Sequence, residues 1–380
     1  MFRNQPTMGR AMARMGRSFG LPGIVIALGV AVALDAAAWA EPLPLFYQGI
    51  RPLGMGGAFT AVADDENAMF YNPAGLNSIK GYGRFELLNP LAELSTNTVE
   101  FAQDIQDVAD AQTDAQQATL AADLLQKWLG EHLHARTSVF PNLTFHNFGI
   151  GVLGQGVFDG EVHTPTGSNT LQIRGGYDVA GLVSGAMGFS PLGASLQLGA
   201  TAKYVRRGLL DQSYTANDLV QQDGIDLDRD LKKGSGFGVD AGVILSFPIL
   251  FNPAVGVTVQ NIGDIDLDDA GTLEQQINAG LALKPPFPFG SLILALDMVD
   301  VTGNIGSDQD KAKRLHAGAE YRFPRVLALR AGLNQGYASL GATLDLWILK
   351  LAYAYTTEEV GAYAGQTPDH RHVAQISLGF

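Results

Sequence analysis

The chain has 380 residues, of which 46% are hydrophobic and 17% charged, and its formal charge is −13 at pH 7. This charge argues against nucleic acid as a partner, because nucleic-acid binding depends on basic residues that neutralise phosphates. The absence of cysteine excludes disulfides, thiolate metal sites and an acylated N-terminal cysteine. The 46 glycines suit a protein with many turns and small wall residues.

The first forty residues predict a secretory signal peptide. Four arginines without an acid open the chain, an apolar run extends from Leu21 to Leu34, and the segment ends in Ala38-Trp39-Ala40. A basic leader, an apolar stretch and a small-x-small cleavage site are typical of exported proteins. A transmembrane anchor is the alternative, but the apolar run is short for a span and Asp35 ends it. We therefore expect residues 1–40 to be removed on export.

Residues 41–82 precede the first predicted strand and do not alternate as a strand would. They include the run GMGGAFTAVADDENAMFYNPAGL, in which Gly54, Gly56 and Gly57 permit tight turns. Residues 59–63 can form a short helix, and Asn72-Pro73 marks a turn. A phosphate-binding glycine loop needs a strand before it and a lysine after it. Because both are missing here, nucleotide binding is excluded.

This run resembles the N-terminal plug of the FadL/TodX family of outer-membrane transporters. The wider superfamily also includes PorV-type secretion accessory barrels and TraF-like proteins. The resemblance implies that Asn72, Pro73 and Ala74 belong to a hatch folded into a barrel lumen. It further implies passive uptake of a small hydrophobic ligand, either fatty-acid-like or aromatic.

Residues 95–135 carry the one substantial helical pattern, with two apolar stripes at helical spacing. One interpretation is a pair of helices that pack on each other and on the barrel rim. The other is an extracellular apolar groove in which a ligand docks. This insertion looks more like the TraF-like branch than the fatty-acid transporters, which leaves the ligand class open. The residues of the docking interpretation are Leu120, Leu124, Leu125 and Trp128.

From residue 84 onward, apolar and polar residues alternate, which indicates half-buried β-strands. In residues 196–204, for example, leucine, alanine and tyrosine alternate with glutamine, glycine, threonine and lysine. A soluble sandwich would alternate too, but isolated charges in mid-strand suit a wet lumen better. About fourteen strands are counted, short links alternate with long ones, and aromatic residues collect beside the short links. The predicted fold class is therefore all-β, a membrane-spanning antiparallel β-barrel over residues 83–380.

Glycines crowd the third predicted strand, and a proline interrupts the second. Glycine weakens strands and marks kinks, and proline removes a ladder donor. In the fatty-acid transporters a kinked third strand opens a side gap, so the resemblance predicts a lateral opening. Glycines that only relieve crowding in the wall are the alternative. The residues concerned are Pro141, Gly149, Gly151, Gly154 and Gly156.

The last strand alternates up to the C-terminal Phe380. This resembles the signal by which outer-membrane proteins reach their assembly machinery. The expected location is thus the outer membrane of a Gram-negative bacterium. The expected partners are this machinery, outer-membrane lipid and lipopolysaccharide, and a hydrophobic small molecule.

No catalytic set, cofactor or metal site is predicted, and the chain is not expected to be an enzyme. The acids of residues 226–230 have EF-hand-like spacing but lack the required glycine and closing glutamate, and those of 264–269 form a second cluster. Both are interpreted as solvated loops. His370 and His372 share one strand face and form at most a weak metal pair. The predicted function is passive uptake of small hydrophobic molecules, and the alternative is a non-transporting accessory barrel in secretion or conjugation.

Overall fold

The architecture is taken from a computed structural model. The predicted signal peptide, the acids of residues 226–230 and Phe380 lie outside the described part of the chain. The described residues are 45–81, 83–164, 169–190, 193–215, 231–306, 310–324 and 326–379.

Fourteen strands of the described residues form one antiparallel barrel, which confirms the predicted fold class and strand number. Each of the first two strands consists of two segments. In chain order the strands are β1 (Arg84–Leu88 and Leu91–Ser95), β2 (His132–Val139 and Asn142–Phe145), β3 (Phe148–His163), β4 (Thr170–Phe189), β5 (Ser195–Thr215), β6 (Lys232–Ser246), β7 (Ala254–Gln260), β8 (Gln276–Leu283), β9 (Ser291–Met298), β10 (Leu315–Arg322), β11 (Leu327–Asn334), β12 (Tyr337–Asp345), β13 (Leu349–Glu359) and β14 (Pro368–Gly379).

The barrel closes because β14 pairs with β1. Glu86 faces Gly379 in the lower segment of β1, and Leu91 faces Gln375 in the upper one. Every other strand pairs with its neighbours in sequence. Closure leaves no unpaired strand edge, which is the condition for crossing an apolar bilayer with strands.

The two faces of the wall differ as the alternation predicts. Outward side chains such as Leu333 and Leu340 are more than half exposed, whereas inward Lys203 and Asp240 are buried. Aromatic residues at the short-turn end are exposed, and Trp347 is 86% exposed. An apolar outer band with an aromatic girdle is the arrangement that lipid requires.

Strands β3 to β5 are much longer than those on the opposite side of the barrel. β4 and β5 have 20 and 21 residues, whereas β7 has seven. A tilted transmembrane strand needs only about 9–11 residues. The ladder of these strands therefore continues past the bilayer, so that β3 extends to His163 and β5 to Thr215.

Residues 45–81 fold inside the barrel as a hatch. Its regular elements are short: helix α1 (Ile50–Gly54), helix α2 (Ala68–Tyr71) and a 3-10 helix (Pro73–Ser78). The short helix predicted over residues 59–63 is a single turn, closed by the amides of Val62 and Ala63 on the Phe59 carbonyl. Many hatch amides bond to carbonyls within the hatch, and the backbone groups that remain need partners from the wall.

The insertion between β1 and β2 forms two helices, α3 (Thr96–Ala109) and α4 (Asp114–Lys127). They pack on the outer side of the wall. Leu133 and Ala135, which belong to the same apolar cluster as Leu124, alternate along β2 with the lumenal His134 and Arg136. The helices thus flank the rim opposite the short turns and do not cover the mouth. Within the described chain, no helix is long and apolar enough to cross a membrane.

A belt of wall glycines faces the hatch backbone. A Cβ at Gly199 would lie 2.3 Å from the carbonyl carbon of Pro73, and one at Gly318 would lie 2.3 Å from the Met55 oxygen. Only residues without a side chain allow so close an approach of two backbones. This glycine belt consists of Gly199, Gly256, Gly318, Gly332 and Gly341.

We predict that Gly199→Ala destabilises the folded barrel by about 1–3 kcal/mol, because its Cβ would overlap the hatch backbone. The matched control is Gly185→Ala on the adjacent strand, where an added Cβ meets nothing within 4 Å. The control should stay within about 0.5 kcal/mol of the native barrel. The measurement is the heat-modifiability midpoint on a gel. Equal midpoints for the two variants would contradict close packing at the belt.

Candidate functional site

The Asn-Pro-Ala element pins the hatch to the wall. The Asn72 side-chain amide donates to the carbonyls of Thr60 (2.9 Å), Val243 (3.2 Å) and Val257 (3.4 Å). Its oxygen accepts the amide of Ala74, which caps the 3-10 helix that Pro73 opens. Asn72 is fully buried. One side chain therefore ties two parts of the hatch to β6 and β7.

Asp297 on β9 holds the middle of the hatch. One oxygen of its carboxylate accepts the amides of Phe59 (2.7 Å) and Thr60 (2.6 Å). The carboxylate makes no ion pair in the described residues and is 1% exposed. A buried acid without a cation is costly unless backbone donors solvate it. The hatch amides thus stabilise the buried Asp297 carboxylate, and the carboxylate in turn holds the hatch amides.

Other wall side chains bind hatch carbonyls. His316 Nδ1 lies 2.8 Å from the Gly56 oxygen, and Thr201 donates to the Met69 oxygen at 3.1 Å. Arg136 donates to the Gln48 oxygen at 2.9 Å, and Gln155 to the Phe46 oxygen at 2.8 Å. Wall side chains therefore supply the hydrogen bonds that regular secondary structure would supply elsewhere.

An ionic clamp centred on Arg51 fixes α1. The guanidinium forms a two-pronged contact with Glu320 at 2.9 Å and also reaches Asp64 (2.6 Å) and Asp65 (2.7 Å). Glu320 accepts further bonds from Arg330 (2.6 Å) and Arg322 (2.7 Å). Two-pronged arginine–carboxylate contacts combine strength with a defined geometry. Lumen charges thus pair here with one another and with hatch groups.

The two hatch acids of the clamp differ in the direction of their pKa shifts. Burial alone would raise the pKa of Asp64, but the cations Arg51 and Arg322 hold that pKa below its ordinary value. Burial raises the pKa of Asp65, and the adjacent Glu66 and Asp64 raise it further. On acidification Asp65 therefore takes up a proton first, and Asp64 keeps its charge against Arg51.

An aromatic group lies between the hatch and the wall on the side of β2 and β3. It consists of Phe46, Tyr47, Phe70 and Phe140. Tyr47 stacks on Phe70 with 3.9 Å between ring centroids, and Phe140 meets Phe70 edge-on at 4.9 Å. Phe140 is a wall residue whose buried ring points inward. Hatch and wall thus share one apolar contact at this point.

The wall is interrupted directly beside the aromatic group. β1 breaks at Asn89-Pro90 and β2 at Phe140-Pro141, so the two breaks face each other. The Asn89 side chain spans them by accepting the Phe140 amide (2.6 Å) and donating to the Phe140 carbonyl (2.8 Å). Proline supplies no ladder donor, so a side-chain amide takes the place of backbone pairing. We call this place the wall break.

The glycines predicted to kink β3 lie in an unbroken strand. β3 pairs with β4 along its whole length, from Phe148 to His163. Gly149 and Gly151 make room for hatch and wall side chains, since a Cβ there would lie 2.6 Å from Met69 and Phe140 respectively. Gly154 and Gly156 pair with Val139 and Thr137 of β2 in a regular ladder. The lateral opening stays a prediction, and the interruption itself lies in β1 and β2.

The proposed docking residues face the barrel wall. Leu124, Leu125 and Trp128 are at most 6% exposed, and Leu120 is partly buried. Trp128 packs edge-on against Phe101 and donates to Asp104. In this arrangement the helices pack on each other and on the rim, and these side chains form no open groove within the described residues. A docking role would require the helices to lift, and it stays a prediction.

One external loop folds into the mouth, which the sequence reading missed. Ile265, Leu267 and Leu273 are buried, and a Cβ at Gly234 or Gly238 of β6 would overlap the loop. The acids of this loop bond to its own backbone; Asp264, for example, accepts the amide of Gln275. The apolar residues between the acids could have indicated a packed loop, because a fully solvated loop would leave them exposed to water.

The lumen holds unequal cavities on the two sides of the hatch. The one toward the short turns has about 610 Å³ and is lined by charged groups, among them Arg51, Asp64, Arg84 and Lys350. The one on the other side has about 40 Å³, room for only a few waters. Arg51, Asp64 and Asp65 were not identified as site residues from the sequence. Charged residues in an apolar, glycine-rich run could have indicated buried ion pairs.

A family model and several solved structures show similarity to this chain. A model of the family described as "F plasmid transfer operon, TraF, protein" matches residues 159–345, slightly less than half of the chain. A comparison with curated proteins finds no match.

Among solved structures, the chain is similar to the toluene transporter TodX of Pseudomonas putida, with 11% identity over 92% of this chain and 99% of that chain and a TM-score of 0.44. It is similar to the CymD monoaromatic hydrocarbon channel, with 13% identity over 91% of this chain and 98% of that chain and a TM-score of 0.40. It is also similar to the toluene transporter TbuX of Ralstonia pickettii. The identity is 13% over 89% of this chain and 99% of that chain, and the TM-score is 0.40. At such identities a likeness concerns the fold alone and carries nothing about ligand.

We predict that Asn72→Asp loosens the hatch without unfolding the barrel. The carboxylate would present an acceptor to three carbonyls, and leaving buried groups unpaired costs about 1–3 kcal/mol each. Hydrogen exchange of residues 45–78, followed by mass spectrometry, should become faster. The control is Asn77→Asp, because Asn77 donates one part-buried bond to Asn147. Identical exchange in the two variants would refute the anchoring role of Asn72.

Proposed function

We propose that the chain is an outer-membrane channel for passive uptake of small hydrophobic molecules. The observation that carries this proposal is the aromatic group directly behind the wall break. Aromatic rings offer apolar contact to a small hydrophobic ligand. A wall held there by one side-chain amide can part at lower cost than a regular ladder.

The charged cavity on the short-turn side favours a sideways exit. A hydrophobic ligand gains nothing from a space lined by Arg51, Asp64, Arg84 and Lys350. Beyond the wall break, in contrast, lies the apolar outer band of β1 and β2. The ligand would pass from the aromatic group to lipid when the Asn89–Phe140 bonds open. The ionic clamp meanwhile keeps the hatch in place. Uptake by this route is passive, so it requires no energy input.

A second candidate is a non-transporting accessory barrel for conjugative transfer or secretion. The family model whose description names a plasmid transfer operon favours it. In that case the rim helices α3 and α4 and the external loops would bind partner proteins, and the wall break would stay shut.

The uptake proposal predicts that cells with an intact lipopolysaccharide leaflet take up labelled toluene faster when they carry this chain. The pair Ala92→Cys and Thr137→Cys joins directly paired positions of β1 and β2 close to the wall break. Paired strand positions suit a disulfide, and the chain has no other cysteine. Oxidation should reduce uptake to the level of cells without the chain, and a thiol reductant should restore it.

The control pair is Ala319→Cys and Ala331→Cys, which are directly paired in β10 and β11, away from the wall break. Its oxidation should leave uptake unchanged. Undiminished uptake through the oxidised Ala92–Thr137 pair would refute the lateral route but not the channel. No uptake by the native chain, together with co-purification of transfer or secretion proteins, would favour the accessory role instead.

A further inference from the structure

A ladder of tyrosine and histidine lies on the outer face of β13 and β14. Tyr353 and Tyr355 on β13 alternate with lumenal residues, and His370 and His372 do so on β14. The Tyr353 hydroxyl lies 2.7 Å from His372 Nδ1, and the Tyr355 hydroxyl 3.0 Å from His370 Nδ1. The rings of Tyr355 and His370 are stacked. We call these four residues the outer ladder.

The protonation of each imidazole decides what it presents outward, because the hydroxyl beside Nδ1 can either donate to that nitrogen or accept from it. When the hydroxyl donates to Nδ1, the ring proton lies on Nε2. A doubly protonated ring also carries a proton on Nε2. In these two states Nε2 of each exposed ring is a donor, and these are the states in which the ladder would bind an anion. His370 and His372 are two residues apart on one strand face, which is about 7 Å.

The wall next to the outer ladder is apolar toward the short turns, and the outward positions paired with the ladder carry no charge. Ile376 and Leu351 continue the same face toward the short turns and are exposed. Directly paired with the ladder are Leu340 of β12 and Leu94 of β1. In the described chain, no carboxylate occupies these paired outward positions. An anionic group would therefore meet donors without meeting a like charge.

From this geometry we infer that the outer ladder binds the phosphate of an outer-leaflet lipid. Its acyl chains would lie along Ile376 and Leu351, and the phosphate would accept bonds from the two imidazoles. Side chains whose Cα atoms lie about 7 Å apart on one strand face can both reach one phosphate through bonds of about 2.8 Å. This inference rests on the outer-membrane placement within the proposed function, but not on transport.

A metal ion is the competing occupant of two histidines on one face. The described residues contain no group of three histidine or acidic side chains placed to hold a metal. Nδ1 of each ring lies against a tyrosine hydroxyl, and Nδ1 of His370 also lies 3.0 Å from the Thr357 hydroxyl. A phosphate needs only the two donors that remain, so it fits the site better than a metal does.

The test measures the heat-modifiability midpoint of the purified full barrel in detergent, because a ligand that binds the folded state raises it. Diphosphorylated lipid A should raise the midpoint, and dephosphorylated lipid A should not. The double variant His370→Leu/His372→Leu should lose the shift. His370→Gln/His372→Gln should keep part of it, because the glutamine amide also presents an Nε2–H donor. The control His146→Leu removes an exposed histidine at the short-turn end and should retain the full shift.

Phosphatidylglycerol separates the two sources of a lipid phosphate. An equal shift with this lipid assigns the site to phospholipid, and a shift with lipid A alone assigns it to lipopolysaccharide; both support a phosphate site. An equal shift with dephosphorylated lipid A, or an undiminished shift in the leucine variant, overturns it. A shift obtained with Zn²⁺ in place of lipid would also overturn it. Toluene uptake by the leucine variant tells whether transport stands independently.

Discussion

The structure depends on one constraint: irregular backbone enclosed in a barrel must find its hydrogen-bond partners either within the hatch or in the wall. The hatch has only short helices, so side chains such as Asp297 and Asn72 solvate its amides and carbonyls. The glycine belt follows from the same constraint, because these bonds form only if two backbones come close. The high glycine content of the chain thus serves the hatch as well as the turns.

The anchoring is uneven around the barrel. Glu320, Arg330 and Arg51 hold the hatch by buried ion pairs on the side of β10 and β11. On the side of β2 the contact is aromatic, and the wall itself is held by Asn89. Buried ion pairs resist separation because each partner would be left as an uncompensated charge. Ring contacts can rearrange at lower cost, so movement is expected at the wall break and not at the clamp.

Much of the fold could be predicted, because it is encoded locally. Alternation in each segment gives the strands, and the order of short and long links gives the barrel and its two ends. The ends of β3 to β5 could not be predicted. Phe158 and Val162 lie beyond the bilayer, and an apolar outer face is stable there only because α3 and α4 cover these side chains. The hatch motif indicated a plug, yet its anchors were invisible locally. His316 lies 260 positions from Gly56, which it binds.

By itself, the sequence determined the class of protein: its period of two, its apolar outer face and its polar inner face are properties of neighbouring residues. Only the tertiary structure decided which charges meet, because Arg51 and Glu320 are 269 positions apart and ion pairing is read in space. It also decided that the interruptions at Asn89-Pro90 and Phe140-Pro141 lie side by side in adjacent strands. A single proline weakens one ladder, whereas two adjacent interruptions leave a break that the Asn89 side chain spans.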